Sequence, residues 1–275
     1  MPLALILSSY VAASRIGGGA QQFALAAFGL DPVLIPTVMF GASPAKGGRG
    51  RATDPELFQN LIDGVESQGL LARTDLVITG HFSLPEQVEM AARVIEQVRA
   101  RSPRPLVVVD PILGDLPKGL YVKPEVAVAV AERLLPLADW ITPNLWELSY
   151  LSGRPVEDAA GAAEAARALG KPALVTSVPA GEGEIGLACC GPEGTTLFAH
   201  PRLDAAPNGT GDLVTAVFAA GLALGDAPAV AAERAARAVA EALAASQGAI
   251  LDLPLAELGA RLVRPTASVR IELLV

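Results

Sequence analysis

The hexapeptide Pro207-Asn208-Gly209-Thr210-Gly211-Asp212 stands directly before a long apolar stretch, Leu213–Gly225. Two glycines separated by one residue free the backbone to turn its N–H groups toward a single point, and a helix starting there adds its positive dipole end. Such a turn is an anion hole suited to a phosphoryl group. Asp212, in the first helical turn, could touch a substrate hydroxyl beside it. The same residues also read as a plain capped helix, because the dipole favours an aspartate there whatever the chemistry. That dipole is expected to hold the carboxyl below its usual pKa and so leave a weak base at neutral pH. Phosphoryl transfer tolerates a weak base, since orientation and electrostatics carry most of its rate.

Two further segments carry chemistry. Val107-Val108-Val109-Asp110 ends an apolar run in a carboxylate and continues as Pro111-Ile112-Leu113-Gly114-Asp115. Thr142-Pro143-Asn144-Leu145-Trp146-Glu147 opens a helix with Asn144 and Glu147 three residues apart, hence on one face. Ligands of an open parallel sheet bind at the carboxyl ends of its strands. The polar residues closing the apolar runs are therefore candidates: Ser8-Ser9, Thr37, Gly80-His81, Asp110, Thr142 to Asn144, and Thr176-Ser177.

The elements that must position these residues alternate along the chain. Apolar runs at Leu3–Leu7, Val33–Pro36, Leu76–Thr79, Leu106–Val109, Trp140–Thr142 and Ala173–Ser177 read as strands. Helical stretches fall between them: Ala20–Gly29, Pro55–Leu71, Pro85–Arg101, Pro124–Leu135, Asn144–Leu151 and Ala159–Leu169. The runs are uniformly apolar, as parallel strands buried on both faces should be, so a doubly wound α/β sheet is expected. After Ser177 the rhythm changes. Ile185–Cys190 and Thr195–His200 flank Gly191-Pro192-Glu193-Gly194 as a β-hairpin, and two Ala-rich helices follow at Gly211–Leu224 and Ala227–Gln247. Gly41–Arg51, with Lys46, Arg49 and Arg51, reads as a loop within one domain rather than a linker, so residues 1–275 are expected to form a single domain.

Composition excludes several classes. Apolar residues make up 51% and charged residues 18%, which is incompatible with disorder, and an aromatic share of 4% requires a core of Ala, Val and Leu. A net charge of −8 gives no basic footprint for nucleic acid or an anionic membrane. Met1–Leu7 lacks a basic leader region and stops at Ser8-Ser9, so it reads as a buried strand. Leu213–Gly225 is too short for a bilayer, which takes about 20 apolar residues. The only cysteines, Cys189 and Cys190, are adjacent and offer neither an ordinary disulfide nor a zinc site, which fits a cytoplasmic protein.

Asp110–Asp115, Thr142–Glu147 and Asn208–Asp212 together resemble the ribokinase-like superfamily, and with Lys118-Gly119-Leu120-Tyr121-Val122 its vitamin kinases. Ser9-Tyr10-Val11 followed by Gly17, Ala20, Phe23, Gly29 and Thr37–Phe40 is similar to the opening of the pyridoxal/pyridoxamine kinase family. The Asp-Ser-Ser-Gly-Gly-Ala-Gly opening of pyrimidine kinases is not present. The resemblance implies a three-layer fold with helices on both faces of the sheet, and ATP-dependent phosphorylation of the 5'-hydroxymethyl group of pyridoxal, pyridoxamine or pyridoxine. It implies Asp212 as the base, and the amides of Gly209 and Gly211 as stabilisers of the transferring phosphoryl group. Asp110 and Glu147 would meet Mg²⁺ with ATP through water, with a monovalent cation as a further candidate. Thr142, Asn144, Thr176, Ser177, Asn208 and the stretch His200, Pro201, Arg202, Leu203 would line the nucleotide site. Ser9, Thr37, Phe40 and His81 would face the vitamer, and a cytoplasmic homodimer is expected.

The departures from the family lie on the vitamer side. Tyr10 and Ala13 stand where His and Tyr are frequent, Gly18-Gly19 replaces a polar pair, and Pro44-Ala45 replaces polar contacts. The cations of Gly41–Arg51 could form a flap over the triphosphate or a solvated loop. Two alternatives stay open on sequence: a kinase for another hydroxymethyl compound such as hydroxymethylpyrimidine, and a binder that kept only the nucleotide half.

Overall fold

The structure is a computed structural model describing residues 1–100, 105–203, 207–246 and 252–274. In chain order it runs β1 (Leu3–Val11), α1 (Gly18–Ala27), β2 (Asp31–Phe40), β3 (Gly50–Ala52), α2 (Pro55–Ser67), β4 (Thr74–Thr79), α3 (Pro85–Arg99) and β5 (Leu106–Val109). A small hairpin of β6 (Gly114–Asp115) and β7 (Gly119–Leu120) follows, then α4 (Pro124–Ala129), which widens into a π-turn at Val130–Leu134. The second half holds β8 (Trp140–Ile141), α5 (Leu145–Ser152), α6 (Ala159–Leu169) and β9 (Ala173–Pro179). It ends with β10 (Glu184–Gly191), β11 (Gly194–Pro201), α7 (Thr210–Ala223), α8 (Pro228–Ala245) and β12 (Arg270–Leu274).

Among the described residues the main sheet has ten strands in the order β12-β11-β10-β9-β8-β5-β4-β1-β2-β3. Its centre, from β9 to β2, is parallel, and β3, β10, β11 and β12 are antiparallel to their neighbours. Alternate residues of the apolar strands feed two cores. Leu5, Leu7, Val77, Val107 and Val109 pack under α2 to α6. Ala4, Ile6, Leu76, Ile78 and Val108 pack under α1, α7 and α8. The helices begin where side chains can satisfy their free amides: Asp54 accepts from Leu57 N at 3.0 Å and Asp158 from Gly161 N at 2.8 Å. The expected doubly wound sheet and the hairpin after residue 184 are both present.

Three expectations are revised. Gly41–Arg51 is not all loop: it holds a 3₁₀ turn at Pro44–Lys46, and Arg51 lies on β3 opposite Met39. Lys46, one of the loop's cations, pairs through Nζ with Asp252 at 3.0 Å and lines neither of the two cavities described below. Strand β12 was not foreseen, since Arg270–Leu274 mixes charged and apolar residues on an outer edge with little to bury. Arg101 and Gln247, the expected ends of two helices, lie outside the described residues. Cys189 and Cys190 point to opposite cores, both free. Among the described residues no helix is long and apolar enough to cross a membrane.

Candidate active site

The turn before α7 is built on Gly209. Its φ of +93° lies in the left-handed region, and a Cβ there would sit 2.6 Å from the Arg15 carbonyl oxygen. Gly211, the second residue of α7, is under no such constraint. It is helical, and a Cβ on it would meet nothing within 4 Å, so its small size leaves open space at the mouth of the site. Asp212 in the same first turn accepts a hydrogen bond from Gly17 N at 2.8 Å through Oδ2, while its buried Oδ1 has no partner among the described residues. Gly17 makes that contact with φ +60°, pressed so close to β1 that a Cβ would fall 2.3 Å from Ser9 Oγ.

Asp110 follows β5 and is buried. Its Oδ2 accepts from Thr215 Oγ1 at 2.8 Å, and Thr215 Oγ1 lies 2.8 Å from Thr142 Oγ1. Next to it, Asn144 and Glu147 cap α5 reciprocally: Asn144 Oδ1 accepts from Glu147 N at 2.8 Å, and Glu147 Oε2 from Asn144 N at 2.9 Å. Glu147 Oε1 also accepts from Leu113 N at 2.7 Å and Gly114 N at 3.3 Å. Asn144 Nδ2 donates to the Gly114 carbonyl at 2.8 Å. The pair therefore clamps the segment after β5. Within it, Ile112 adopts φ +42°, a costly conformation for a β-branched residue.

Two cavities meet here. The polar one, about 410 Å³, is lined by Asp110, Thr142, Asn144, Glu147, Thr176 and Ser177, with Asn208 to Asp212 across from them. The more apolar one, about 690 Å³, is lined by Ser9, Phe40, Ser43, His81 and Lys118 among others. Asp212, Gly209, Asn208, Ile112, Asp115 and Tyr121 line both. Two carboxylates, Asp115 and Asp212, thus stand on the wall between a polar pocket and a pocket with apolar sides, and Asp212 is the one carried by the first turn of α7.

Two groups of expected residues fall elsewhere. Thr37 is fully buried behind the apolar cavity, where its hydroxyl donates to the His81 carbonyl at 2.5 Å and its own carbonyl accepts from Gln87 Nε2 at 2.6 Å. It supports the wall instead of facing a ligand. His200, Pro201, Arg202 and Leu203 line neither cavity, because β10 lies between their strand and β9; His200 is opposite Ile185, and Arg202 N donates to Gly183 O at 2.9 Å. Conversely, Asp115, Tyr121 and Thr215 were not singled out from sequence. Asp115 stood inside a recognised motif and could have been, whereas Thr215 is hidden among apolar helix residues.

Burial governs the electrostatics. It pushes Asp212 up to about 6, against the pull of the Gly17 amide, so the depression expected from the helix dipole does not occur. Burial likewise raises Glu147 to about 7, opposed by the amides of Asn144, Leu113 and Gly114. Asp110 is raised well above the usual range by burial and then by the charges of Glu147 and Asp212. His81 is lowered to about 4 by burial and is neutral at physiological pH. A carboxyl whose folded pKa exceeds its unfolded one holds its proton more tightly when folded, so its stabilisation is full below the unfolded value and is lost as pH rises through the folded value. The windows run from 3.8 to about 6 for Asp212 and from 4.5 to about 7 for Glu147. The Tm of the ligand-free protein is accordingly expected to fall across these windows, and Asp212→Asn to flatten the lower one. A calorimetric pH series on both proteins checks this; identical slopes would count against it.

Among the described residues no three His, Cys, Asp or Glu side chains converge closely enough to hold a metal by themselves. The side chains of Asp110, Asp115 and Glu147 in the polar cavity offer hard oxygens, the donor type that fits a Mg²⁺ keeping waters and sharing phosphate oxygens.

Residues 55–250 match the family model described as phosphomethylpyrimidine kinase. The pyridoxal kinase PdxY of Deinococcus radiodurans is 34% identical over 230 residues, covering 78% of this chain and 76% of that protein. The chain belongs to the pyridoxal kinase family. A pyridoxine/pyridoxal/pyridoxamine kinase of Bordetella avium is 33% identical over 249 residues, covering 88% of this chain and 84% of its own. Among solved structures, the pyridoxal kinase of Leishmania donovani in complex with ADP and pyridoxamine aligns with a TM-score of 0.90 and 26% identity over 100% of both chains. The ribokinase-like fold expected for a pyridoxal kinase is therefore the fold found, with Asp212 as the carboxylate that α7 places on the shared wall.

Proposed function

We propose that the protein transfers the γ-phosphoryl group of ATP to the 5'-hydroxymethyl group of pyridoxal, pyridoxamine and pyridoxine. The observation that carries this reading is the position of Asp212 on the wall common to the two cavities, with Oδ1 buried and unpartnered. The polar cavity takes the nucleotide phosphates and the apolar one the vitamer ring. Asp212 accepts the hydroxymethyl proton as the oxygen attacks, and the backbone of Gly209 and Gly211 faces the charge on the transferring group. Ser9, Phe40 and His81 hold the ring, and the neutral His81 offers hydrogen bonding without a charge. Asp110, Glu147 and the added Asp115 would hold Mg²⁺ through water; when bound with the nucleotide it neutralises phosphate charge. A monovalent cation would find the same oxygen-rich end of the site.

Glu147 acts by fixing backbone. Glu147→Gln turns one acceptor into a donor facing amides, so nucleotide affinity is expected to weaken by about tenfold, in the range of a lost charge-assisted hydrogen bond. Isothermal calorimetry with ATP and Mg²⁺ checks it; unchanged affinity would remove Glu147 from the site.

Residues 1–275 are read as one kinase domain, supported by a sheet that draws strands from both ends of the chain. A cytoplasmic location is supported by two free, buried cysteines. The homodimer rests on family likeness, and sedimentation tests it. A second reading, a kinase of hydroxymethylpyrimidine, is favoured by the description of the matching family model. An ADP-release assay over the three vitamers and hydroxymethylpyrimidine separates the two. Vitamer-dependent ADP release is expected. Release only with the pyrimidine would select the second reading, and nucleotide binding without release would leave a binder.

A further inference from the structure

Thr215 lies in the most apolar stretch of α7, flanked by the buried Leu213, Val214, Ala216 and Val217. A hydroxyl placed there must find a partner or be costly. Helical threonines commonly bond back to a carbonyl of the preceding turn. This one instead donates across the structure to Asp110 Oδ2 at 2.8 Å. A hydroxyl has one proton, so the 2.8 Å contact between Thr215 and Thr142 must use the Thr142 proton. The order is Thr142 to Thr215 to Asp110, joining the ends of β8 and β5 to α7. Thr215 follows Asp212 by three residues, one turn along the same face of the helix.

We infer that Thr215 is a positioning residue: its hydroxyl sets the Asp110 carboxylate against the helix that presents Asp212, so that phosphoryl donor and alcohol acceptor are held in register. The inference rests on the proposed kinase reading. It assigns to an apolar-looking helix position a role in nucleotide binding.

The test is a double-mutant cycle on the full chain, read by calorimetry with ATP in the presence and absence of Mg²⁺, alongside kinetics with pyridoxal. Thr215→Val is expected to weaken ATP binding with Mg²⁺ by about tenfold, and binding without Mg²⁺ by less than about twofold. The KM for pyridoxal stays near wild type, and Thr215→Ser returns affinity to within about threefold. In an Asp110→Asn background, Thr215→Val should cost less than about twofold, because the partner it orients is gone. Thr215→Ala serves if the valine variant does not fold. Wild-type affinity in a folded valine or alanine variant would overturn the inference, as would an equal loss in the Asp110→Asn background, which would make Thr215 a packing residue. If the wild type phosphorylates no vitamer, the kinase reading fails, and the calorimetric cycle still decides the role of Thr215.

Discussion

Asp212→Asn is expected to lower kcat by roughly 10²–10⁴-fold, the span of a lost general base, while ATP still binds within about threefold of wild type. Asparagine keeps the size of the side chain and can still accept the 2.8 Å hydrogen bond from Gly17 N, so the turn before α7 should persist. What it removes is the basic oxygen. Oδ1 is the buried atom of Asp212 without a partner among the described residues, on the wall common to the two cavities. Because burial places this carboxyl at about 6, it is mostly ionised at neutral pH yet basic enough to share a proton as the alcohol attacks. The wild-type kcat/KM should therefore rise with pH through about 6 and then level off. The residual rate of the asparagine variant should lack that acid limb. Turnover within about tenfold of wild type, or a variant that keeps the limb, would show that another group takes the proton.

Much of this site was legible in the sequence because it depends on backbone and on strand ends. Apolar runs closing in Asp110, Thr142 and Thr176 read as strands whose carboxyl ends are candidate ligand positions, and all three residues line the polar cavity. The capping pair Asn144 and Glu147 was equally visible, since its spacing is a helix rule. Side-chain direction was not visible. Thr37 lies inside β2, which runs on to Phe40 instead of stopping at Pro36, and its hydroxyl turns to the His81 carbonyl, a partner 44 residues away in the chain. His200–Leu203 end a strand at the same edge of the sheet, yet β10 intervenes, and strand order cannot be read from local pattern. The pKa of Asp212 was misjudged for a related reason. The helix dipole is a local property readable from the motif, whereas burial depends on what α1 and β1 place against it.

Gly209→Ala should be the more damaging of the two glycine changes in the turn, and it separates backbone geometry from open space. An L-residue at φ +93° is strained by itself, by roughly 1–2 kcal/mol. The added Cβ would also stand 2.6 Å from Arg15 O and 3.1 Å from Ile16 Cγ2. Arg15 O is main chain and cannot swing aside, so either the start of α7 or the segment leading to Gly17 must move. Either movement displaces the Gly17 amide that holds Asp212 Oδ2. A shift of about 1 Å in a reacting group can cost about 10²-fold, and a loss of at least that size in kcat/KM is expected. The Tm should fall by roughly 3–6 °C, as a destabilisation of about 2–3 kcal/mol implies for a chain of this length. Gly211→Ala is the control. Its Cβ meets nothing within 4 Å, so Tm should move by less than about 1 °C while nucleotide binding weakens as the methyl enters the polar cavity. If instead Gly209→Ala keeps both Tm and turnover, the turn tolerates a side chain, and the register between Arg15, Gly17 and Asp212 does not control the reaction.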